Sequence, residues 1–380
     1  MNIKKIVFIT LDGFRKDKID LCPTLNSIKN NSIYFPGLHT VTPYTFASHH
    51  AIFSGMYPAR NGVNGYFNMF RFKKDEITTL AELLQKNGYY TVSETLVETV
   101  LPKQGFDEYN LFDEDTVDLK SRHKELIDNL SSKEKFFVFL HFTDTHLHYV
   151  RKVIEKYEKS GNDDEFYKLK HENNQKYEAC TPLADDYIRT IKDALDKNGI
   201  LDETLIVIIS DHGTSLGEKH GEKFYGVFVY DYTINVFCIL NNIQLKPKIV
   251  SQECRTIDLF PTIVDLTGIE NTAASQIQGE SLMNLVNDDS SKDRVIFVET
   301  GGLYGPWPSP KRHNVFCIKT KKKKLIYNDE PETWEFYDLE NDPDEENNIY
   351  DEDSDIITDL REQLLAHFKE NDIDTKISME

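Results

Sequence analysis

Three short apolar runs in this 380-residue chain are each followed closely by an acidic residue. The runs cover residues 6–11, 136–142 and 205–209, and the acidic residues are Asp12, Asp144 and Asp211. Runs of this length, rich in β-branched and aromatic residues, are typical of buried strands in a mostly parallel sheet. Because ligands bind beyond the carboxyl ends of such strands, neighbouring strands would bring one group of polar residues together. That group is Asp12, Asp144, His146, His148, Asp211 and His212.

Helical patterns alternate with the predicted strands. Apolar periodicity and flanking Pro or Gly residues predict helices over residues 23–28, 45–56, 78–86, 183–195 and 356–368. This alternation predicts an α/β fold with a mostly parallel central sheet flanked by helices.

Strand-like runs near the C-terminus, at residues 295–298, 314–319 and 324–327, predict a small antiparallel sheet. The lysine run at residues 321–324 is interpreted as a hairpin turn with a charged edge. A polar turn cluster at residues 287–291 predicts a boundary there. We therefore expect a catalytic α/β domain at residues 1–290 and an α+β subdomain at residues 291–380.

Two segments keep alternative interpretations. Residues 150–180 are rich in Lys, Glu, Asp, Asn and Tyr, which is typical of a solvated helical insertion or of a lid beside the site. Residues 301–313 combine glycines, prolines, aromatic and basic residues. This loop either recognises the non-reacting part of a substrate or covers the small sheet.

Composition restricts the partners and the compartment. The net charge of −20 disfavours the basic surface that nucleic-acid binding requires. Five widely spaced cysteines without a C-x-x-C pair argue against a disulfide framework and favour a reducing compartment. The sequence shows neither a signal peptide nor an apolar run long enough for a membrane span, so we expect a cytoplasmic protein. A homo-oligomer is one open alternative for its assembly.

The converging acids and histidines fit a divalent transition-metal site, because carboxylate oxygens and imidazole nitrogens are its usual ligands. Thr45 lies at the first turn of the helix predicted over residues 45–56. A helix N-terminus binds phosphate or sulfate groups, and a metal-bound hydroxyl can lose its proton and attack. The alternative is that Thr45 only caps the helix.

Seven segments follow one another in a specific order: residues 9–15, 45–62, 142–149, 210–221, 256–263, 278–282 and 336–343. They include Leu11-Asp12-Gly13, the Gly55-Met56-Tyr57-Pro58 turn and Ser210-Asp211-His212-Gly213. Together they resemble the sulfatase branch of the alkaline phosphatase superfamily, almost from end to end.

The resemblance implies a metal held by Asp12, Thr45, Asp211 and His212, with Thr45 as nucleophile. It also implies that His146 contacts the anionic group or protonates the leaving oxygen. The resemblance further suggests two groups of less certain residues: a second metal site at Asp144, His148 and His220, and substrate contacts at His49, Lys223 and Tyr225. For the second-metal histidines, the alternative is a role as mere hydrogen-bonding partners.

Departures from the family pattern change the predicted chemistry. Ordinary sulfatases oxidise a Cys or Ser to formylglycine, whereas Thr45 cannot supply that aldehyde. Gly13 replaces the usual second aspartate, and Asp211-His212 replaces the usual Asp-Asn pair. The loss of an oxygen ligand and the gain of a nitrogen ligand favour manganese or zinc over calcium.

The sequence therefore predicts a metal-dependent hydrolase that cleaves a phosphoester through Thr45. The phosphoester would be either a phosphodiester or a phosphonate monoester. The substrate class would be a small-molecule or glycan-linked phosphate or sulfate ester. Three alternatives stay open: a sulfuric ester hydrolase, a phospho-headgroup transferase, and a silent binding protein.

Overall fold

The computed structural model describes residues 3–158, 163–287, 294–301, 306 and 311–377. The strands are β1 (Lys5–Leu11), β2 (Ile33–His39), β3 (Tyr90–Thr95), β4 (Glu108–Leu111), β5 (Phe136–Phe142), β6 (Thr204–Ile209), β7 (Asn235–Asn241), β8 (Lys248–Ile249), β9 (Cys254–Arg255), β10 (Ile296–Thr300), β11 (Val315–Lys319), β12 (Lys323–Asn328) and β13 (Thr333–Asp338).

The helices are α1 (Pro23–Asn30), α2 (Thr45–Ser54), α3 (Pro58–Asn61), α4 (Leu80–Lys86), α5 (Leu119–Leu130), α6 (Asp144–Val153), α7 (Asp163–Lys168), α8 (Lys170–Glu178), α9 (Thr181–Lys197), α10 (Asp231–Ile234), α11 (Leu259–Thr267), α12 (Leu282–Asn287) and α13 (Asp355–Glu370). Short 3₁₀ turns lie at Lys16–Leu21, Tyr66–Asn68, Leu201–Glu203 and Thr256–Asp258, and a π-helical turn lies at Ile154–Glu158.

The large sheet confirms the predicted mostly parallel α/β architecture. Its strand order is β4-β3-β5-β1-β6-β7-β2-β8, with β9 also paired to β2. Only β7, among the described strands of this sheet, is antiparallel to its neighbours. Strand β1 lies between β5 and β6, with Lys5 level with Phe136 and Thr204. The three apolar runs are therefore adjacent, and their carboxyl ends share one edge.

Helices cover both faces of this sheet, which explains why its central strands are apolar throughout. Ile6 and Phe8 of β1 pack in the core cluster that contains residues of α2, α4 and α11. Val7 and Ile9 pack in the cluster on the opposite face, with residues of α1, α5 and α9. Successive strand residues point to opposite faces, so each must be apolar when both faces are buried.

The C-terminal sheet is a four-stranded antiparallel sheet in the order β10-β11-β12-β13, as predicted. Helix α13 packs on one face of it through Ile357, Leu360 and Leu364. The predicted boundary at residue 290 lies outside the described residues, so the division into residues 1–290 and 291–380 stays a prediction. Most of the loop at residues 301–313 also lies outside them.

The lysine run forms a hairpin turn between β11 and β12, as predicted, but its last residue does not belong to a charged edge. Lys323 and Lys324 belong to β12, and the Lys324 side chain is buried instead of forming an exposed edge. Its Nζ lies 2.5 Å from Asp231 Oδ1 and 2.6 Å from Glu345 Oε1. These carboxylates, from α10 and from the loop after β13, need a positive charge beside them, and Lys324 supplies it.

The segment at residues 150–180 is helical, as predicted, and it also contributes to a buried cluster that the sequence did not predict. Tyr149, Tyr157, Phe166 and Tyr177 share a buried cluster with Leu216. The aromatic residues are few, but each buries a large area, so composition alone underestimates the packing. Tyr177 also reaches the loop after β1, where its hydroxyl donates to the Gly13 carbonyl.

Within the described ranges, no helix has the length and apolar character that a membrane crossing requires. All five cysteines are buried and free of disulfide bonds.

Candidate active site

The carboxyl ends of β5, β1 and β6 position the first part of the site. Asp12 directly follows β1, and its N–H donates to the Phe142 carbonyl at the end of β5 (3.0 Å). Asp211 and His212 follow β6. Because β1 is the middle strand of the three, its acid and those after β6 meet at one edge of the sheet.

The structure brings the four predicted metal ligands together. His212 Nε2 lies 3.7 Å from Asp12 Oδ1 and 3.6 Å from Asp211 Oδ2. The Thr45 hydroxyl lies 3.2 Å from the same nitrogen. All four side chains are buried.

His141 is a member of this group that sequence reasoning missed. Its Nε2 lies 2.9 Å from Asp12 Oδ2. Ligand atoms of Asp12, His141 and Asp211 all lie within 4.8 Å of one another, an arrangement that could hold a metal ion. One signal could have revealed it, because His141 is the only polar residue in the run at 136–142.

The electrostatics of the two carboxylates favour a cation. Asp12 Oδ1 and Asp211 Oδ2 are buried without a hydrogen-bond partner in the described structure. Burial, followed by the charge of Asp12, raises the pKa of Asp211 well above its ordinary value. Burial alone would also raise the pKa of Asp12, but neighbouring histidines, His146 foremost, hold it below its ordinary value. Two buried acids with unpartnered oxygens and adjacent imidazoles fit a divalent ion.

Thr45 is the first residue of α2, as predicted, but it is not the N-cap. Tyr44 occupies the cap position, with extended backbone angles (φ −153°, ψ 150°). The Thr45 hydroxyl instead contacts His212. The hydroxyl therefore faces the group formed by Asp12, Asp211 and His212, and it lies at the end of the helix where backbone N–H groups lack intrahelical partners.

His146 and Tyr225 flank His212. The Tyr225 ring lies against the His212 ring, with centroids 4.1 Å apart, and 5.2 Å from that of His146. His146 Nε2 is buried and has no hydrogen-bond partner in the described structure. Burial lowers the pKa of both histidines and raises that of Tyr225 well above its ordinary value. The group beside Thr45 therefore consists of unprotonated imidazoles and a neutral phenol.

The structure places the remaining predicted substrate contacts differently. His49 is fully buried under α2, where it bonds to the Thr45 carbonyl (2.8 Å) and packs edge-on against Phe139. This position in the core does not support a substrate contact. Lys223 is half-buried on the loop that carries Tyr225.

The structure does not bring the three residues of the predicted second metal site into one group. Asp144 is the first residue of α6, and His148 lies one turn later on the same helix, exposed to solvent. His220 is exposed too and lies 3.1 Å from Asp164.

Gly13 connects the elements around the site through its backbone. Its N–H donates to Asp211 Oδ1 (3.1 Å), and its carbonyl accepts from Thr214 Oγ1 (2.7 Å) and from the Tyr177 hydroxyl (2.9 Å). Its φ of +60° favours glycine. A Cβ there would lie 2.8 Å from Thr214 Oγ1 and 3.0 Å from His146 Cδ2. No side chain fits at this position without rearranging the site.

Comparison with models of protein families shows to which family the chain belongs. The Sulfatase family model matches residues 4–269. The chain belongs to the sulfatase family. A second model, the C-terminal region of N-sulphoglucosamine sulphohydrolase, matches residues 220–371.

Two curated relatives show the extent of the sequence similarity. The chain is 32% identical over 216 residues to an N-acetylglucosamine-6-O-sulfatase of Bacteroides thetaiotaomicron, covering 53% of this chain and 37% of that protein. It is 28% identical over 200 residues to arylsulfatase K of Rattus norvegicus, covering 50% of this chain and 34% of that protein. The matched region thus spans little more than a third of either sulfatase.

Solved structures confirm the fold over nearly the whole chain. A 2-O GAG sulfatase superposes with a TM-score of 0.79 and 18% identity, covering 98% of this chain and 93% of that one. A phosphonate monoester hydrolase from Silicibacter pomeroyi superposes with a TM-score of 0.76 and 16% identity, covering 97% and 96%. At such identities, these similarities establish the sulfatase fold alone.

Proposed function

We propose that this protein hydrolyses a singly charged ester, with a sulfuric ester as the first candidate, through attack by the Thr45 hydroxyl. One observation carries the proposal. The hydroxyl lies 3.2 Å from His212 Nε2, beside two buried carboxylates with unpartnered oxygens, at the N-terminus of α2. Membership of the sulfatase family and the names of its relatives favour the sulfuric ester.

Asp12, Thr45, Asp211 and His212 would hold a divalent ion. When bound, such an ion lowers the pKa of the Thr45 hydroxyl and offsets negative charge on the transferred group. Manganese or zinc suits this mixed nitrogen and oxygen donor set better than calcium.

The protein's own groups supply the other steps. Backbone N–H groups at the start of α2 bind the ester oxygens, and the hydrogen bond from His49 to the Thr45 carbonyl holds that first turn. The Thr45 hydroxyl gives its proton to solvent, and Oγ1 forms a bond to sulfur or phosphorus while the bond from that atom to the ester oxygen breaks. The leaving oxygen takes up a proton from water. His146, with its unpartnered Nε2, donates a hydrogen bond to that leaving oxygen. Water then attacks the sulfur or phosphorus atom bound to Thr45, which releases the acid and restores the Thr45 hydroxyl.

Apart from the proposed metal ligands, the side chains beside Thr45 carry little charge, which supports a substrate with one negative charge. Tyr225 and the unprotonated His146 bring little positive charge to the group beside His212. Sulfate monoesters, phosphodiesters and phosphonate monoesters carry a single charge at neutral pH, whereas phosphate monoesters carry nearly two. We therefore expect the doubly charged ester to be the poorer substrate.

A phosphodiester or phosphonate monoester is the second candidate, because Thr45 is a hydroxyl nucleophile that cannot become formylglycine. We propose that the ester group is attached to a small molecule or, as the name of one relative suggests, to a sugar. Hydrolysis with water as acceptor is proposed ahead of transfer to an alcohol.

Nitrophenyl esters that share one leaving group would rank these substrates. We expect nitrophenyl sulfate, a nitrophenyl phosphodiester or a nitrophenyl phosphonate to be cleaved faster than nitrophenyl phosphate in the presence of manganese or zinc. The release of nitrophenolate measures each kcat/KM. Faster cleavage of the phosphate monoester would contradict the charge argument, and no turnover of any ester would favour a binding protein.

Substitution of Thr45 tests its role directly. Thr45→Ala should lower kcat by about 10³-fold or more, because the attacking oxygen is lost. Thr45→Ser keeps a hydroxyl and should retain a measurable fraction of the activity. The metal content of each variant serves as the control, since Asp12, Asp211 and His212 remain. Substantial turnover by Thr45→Ala would assign the attack to another group.

A further inference from the structure

We propose that His141 is an additional ligand of the ion in this site, so that two imidazoles and two carboxylates surround it. The inference rests on the proposed function for the existence of a metal-loaded site. It extends the ligand set to a residue near the carboxyl end of β5. The predicted consequence is selectivity for zinc or manganese over calcium.

The position of His141 relative to the carboxylates is the first argument. Its Nε2 lies 2.9 Å from Asp12 Oδ2, and ligand atoms of Asp12, His141 and Asp211 lie within 4.8 Å of one another. His212 Nε2 approaches the other oxygen of Asp12. The Asp12 carboxylate therefore has an imidazole nitrogen beside each of its oxygens.

The unpartnered oxygens provide an independent second observation. Asp12 Oδ1 and Asp211 Oδ2 are buried, and neither accepts a hydrogen bond in the described structure. Both side chains are at least nine-tenths buried. Leaving such oxygens unpaired is costly, and a cation within reach of both would satisfy them.

The loop after β1 cannot provide a further side-chain ligand. A Cβ at position 13 would collide with Thr214 Oγ1 and crowd His146, and the Gly13 N–H already donates to Asp211. The neighbouring strand β5 also reaches this edge. Its residue His141 lies level with Thr10 of β1, and Thr10 is two residues before Asp12.

The protein fixes the orientation of the His141 ring. Its Nδ1 lies 3.3 Å from Thr95 Oγ1 on β3, and its ring packs edge-on against that of His49 at 5.4 Å. When Nδ1–H donates to Thr95, Nε2 carries the lone pair and faces the carboxylates. A second hydrogen bond of this kind is what holds metal-binding histidines in the ligating tautomer.

Metal binding by His141 variants separates a ligand from a hydrogen-bond donor. Purified full-length protein, His141→Ala and His141→Gln would be titrated with zinc, manganese and calcium against a chromophoric chelator. Glutamine can still donate an N–H to Asp12 but binds zinc poorly. We expect both variants to lose zinc affinity by about 100-fold or more, with little change for calcium. The matched control is His123→Asn, a buried histidine that bonds to Tyr187 and should bind zinc like the wild type.

X-ray absorption on the zinc-loaded wild type provides a readout that needs no variant. Two imidazole ligands per zinc support the proposal, and one imidazole overturns it. Wild-type zinc affinity in His141→Gln would also overturn it, because a donor role would then suffice.

The outcomes distinguish this inference from the proposed function. A protein that binds zinc through two imidazoles but cleaves no ester would contradict the proposed function and leave His141 as a ligand. A protein that cleaves esters while its His141 variants keep wild-type zinc affinity would contradict only the ligand role.

Discussion

Glu222 is a buried carboxyl group on the loop that carries Tyr225. Its Oε1 accepts hydrogen bonds from the N–H groups of Val227 (2.8 Å) and Phe228 (2.9 Å), and its Oε2 accepts from the Tyr232 hydroxyl (2.7 Å). Burial is the largest influence and raises its pKa from 4.5 to about 7. The loop is thus fastened by a side chain that titrates near neutral pH.

This raised pKa predicts a pH-dependent stability. The folded protein binds the Glu222 proton more tightly than the unfolded chain does. The contribution of this proton to the free energy of unfolding is therefore complete below pH 4.5 and is lost as the pH rises towards about 7 and beyond. Glu222→Gln mimics the protonated form. Relative to the wild type, this substitution should raise the free energy of unfolding by up to about 3 kcal/mol more at pH 8 than at pH 4.5. Urea unfolding at both pH values measures the difference, and an identical effect at both would contradict the assignment.

Residue chemistry explains how much of the site could be predicted. Asp12, Asp211 and His212 follow apolar runs that form the neighbouring strands β1 and β6, and Thr45 begins the buried helix α2. His141 lies inside such a run, where a polar residue reads as an exception to the pattern. Its role depends on strand register, which places it beside Thr10, and register across parallel strands is not visible in a single sequence.

At the scale of elements, α8 holds the loop after β1. The Tyr177 hydroxyl donates to the Gly13 carbonyl and accepts from the Arg15 N–H, both at 2.9 Å. These bonds join the segment at residues 150–180 to the residues directly after Asp12. The segment therefore holds the backbone that follows Asp12 in place. Its packing is explained without a role as a lid.

Tyr177→Phe tests this support. We expect a loss of about 1–2 kcal/mol in stability, because the buried Arg15 N–H loses its acceptor. Metal affinity should also fall by about 10-fold, since the loop that follows Asp12 is less well held. Tyr157→Phe is the matched control: its hydroxyl bonds to Asn173 within the same segment, so stability should fall without a change in metal affinity. Equal metal affinities in both variants would remove Tyr177 from a positioning role.

The elements themselves were predictable where the apolar pattern was strong. Strands β1, β5 and β6 and helix α2 matched their patterns, because burial on both faces or on one face dictates the residues. The reversed direction of β7 was not predicted, since parallel and antiparallel strands buried on both faces have the same composition. Asp144, His148 and His220 do not form a metal-ligating group among the described residues.

For the whole molecule, a buried charge cluster joins the two sheets. Lys324 of β12 contacts Asp231 before β7 and Glu345 after β13, and Lys319 of β11 lies 3.2 Å from Asp231 Oδ2. The two carboxylates keep the pKa of Lys324 above its ordinary value despite its burial. The charges are compensated only when the C-terminal sheet is in place.

Lys324→Met should therefore destabilise the whole protein by about 3–5 kcal/mol, since it leaves buried carboxylates without their cation. Lys322→Met serves as the control because its partner Glu340, at 2.9 Å, and Lys322 itself are more than half exposed. That change should alter stability by less than about 1 kcal/mol. Thermal and urea unfolding of the full chain measure both, and comparable losses would contradict a specific role for the buried lysine.

The direction of β7 has a consequence for how this protein could diversify. An antiparallel neighbour starts at the edge where β6 ends, so residues 210–234 leave and re-enter the sheet on the same side. Two residues of the candidate site, His212 and Tyr225, are carried by that one excursion. Insertions or deletions within it could change the surroundings of the site while every strand keeps its place.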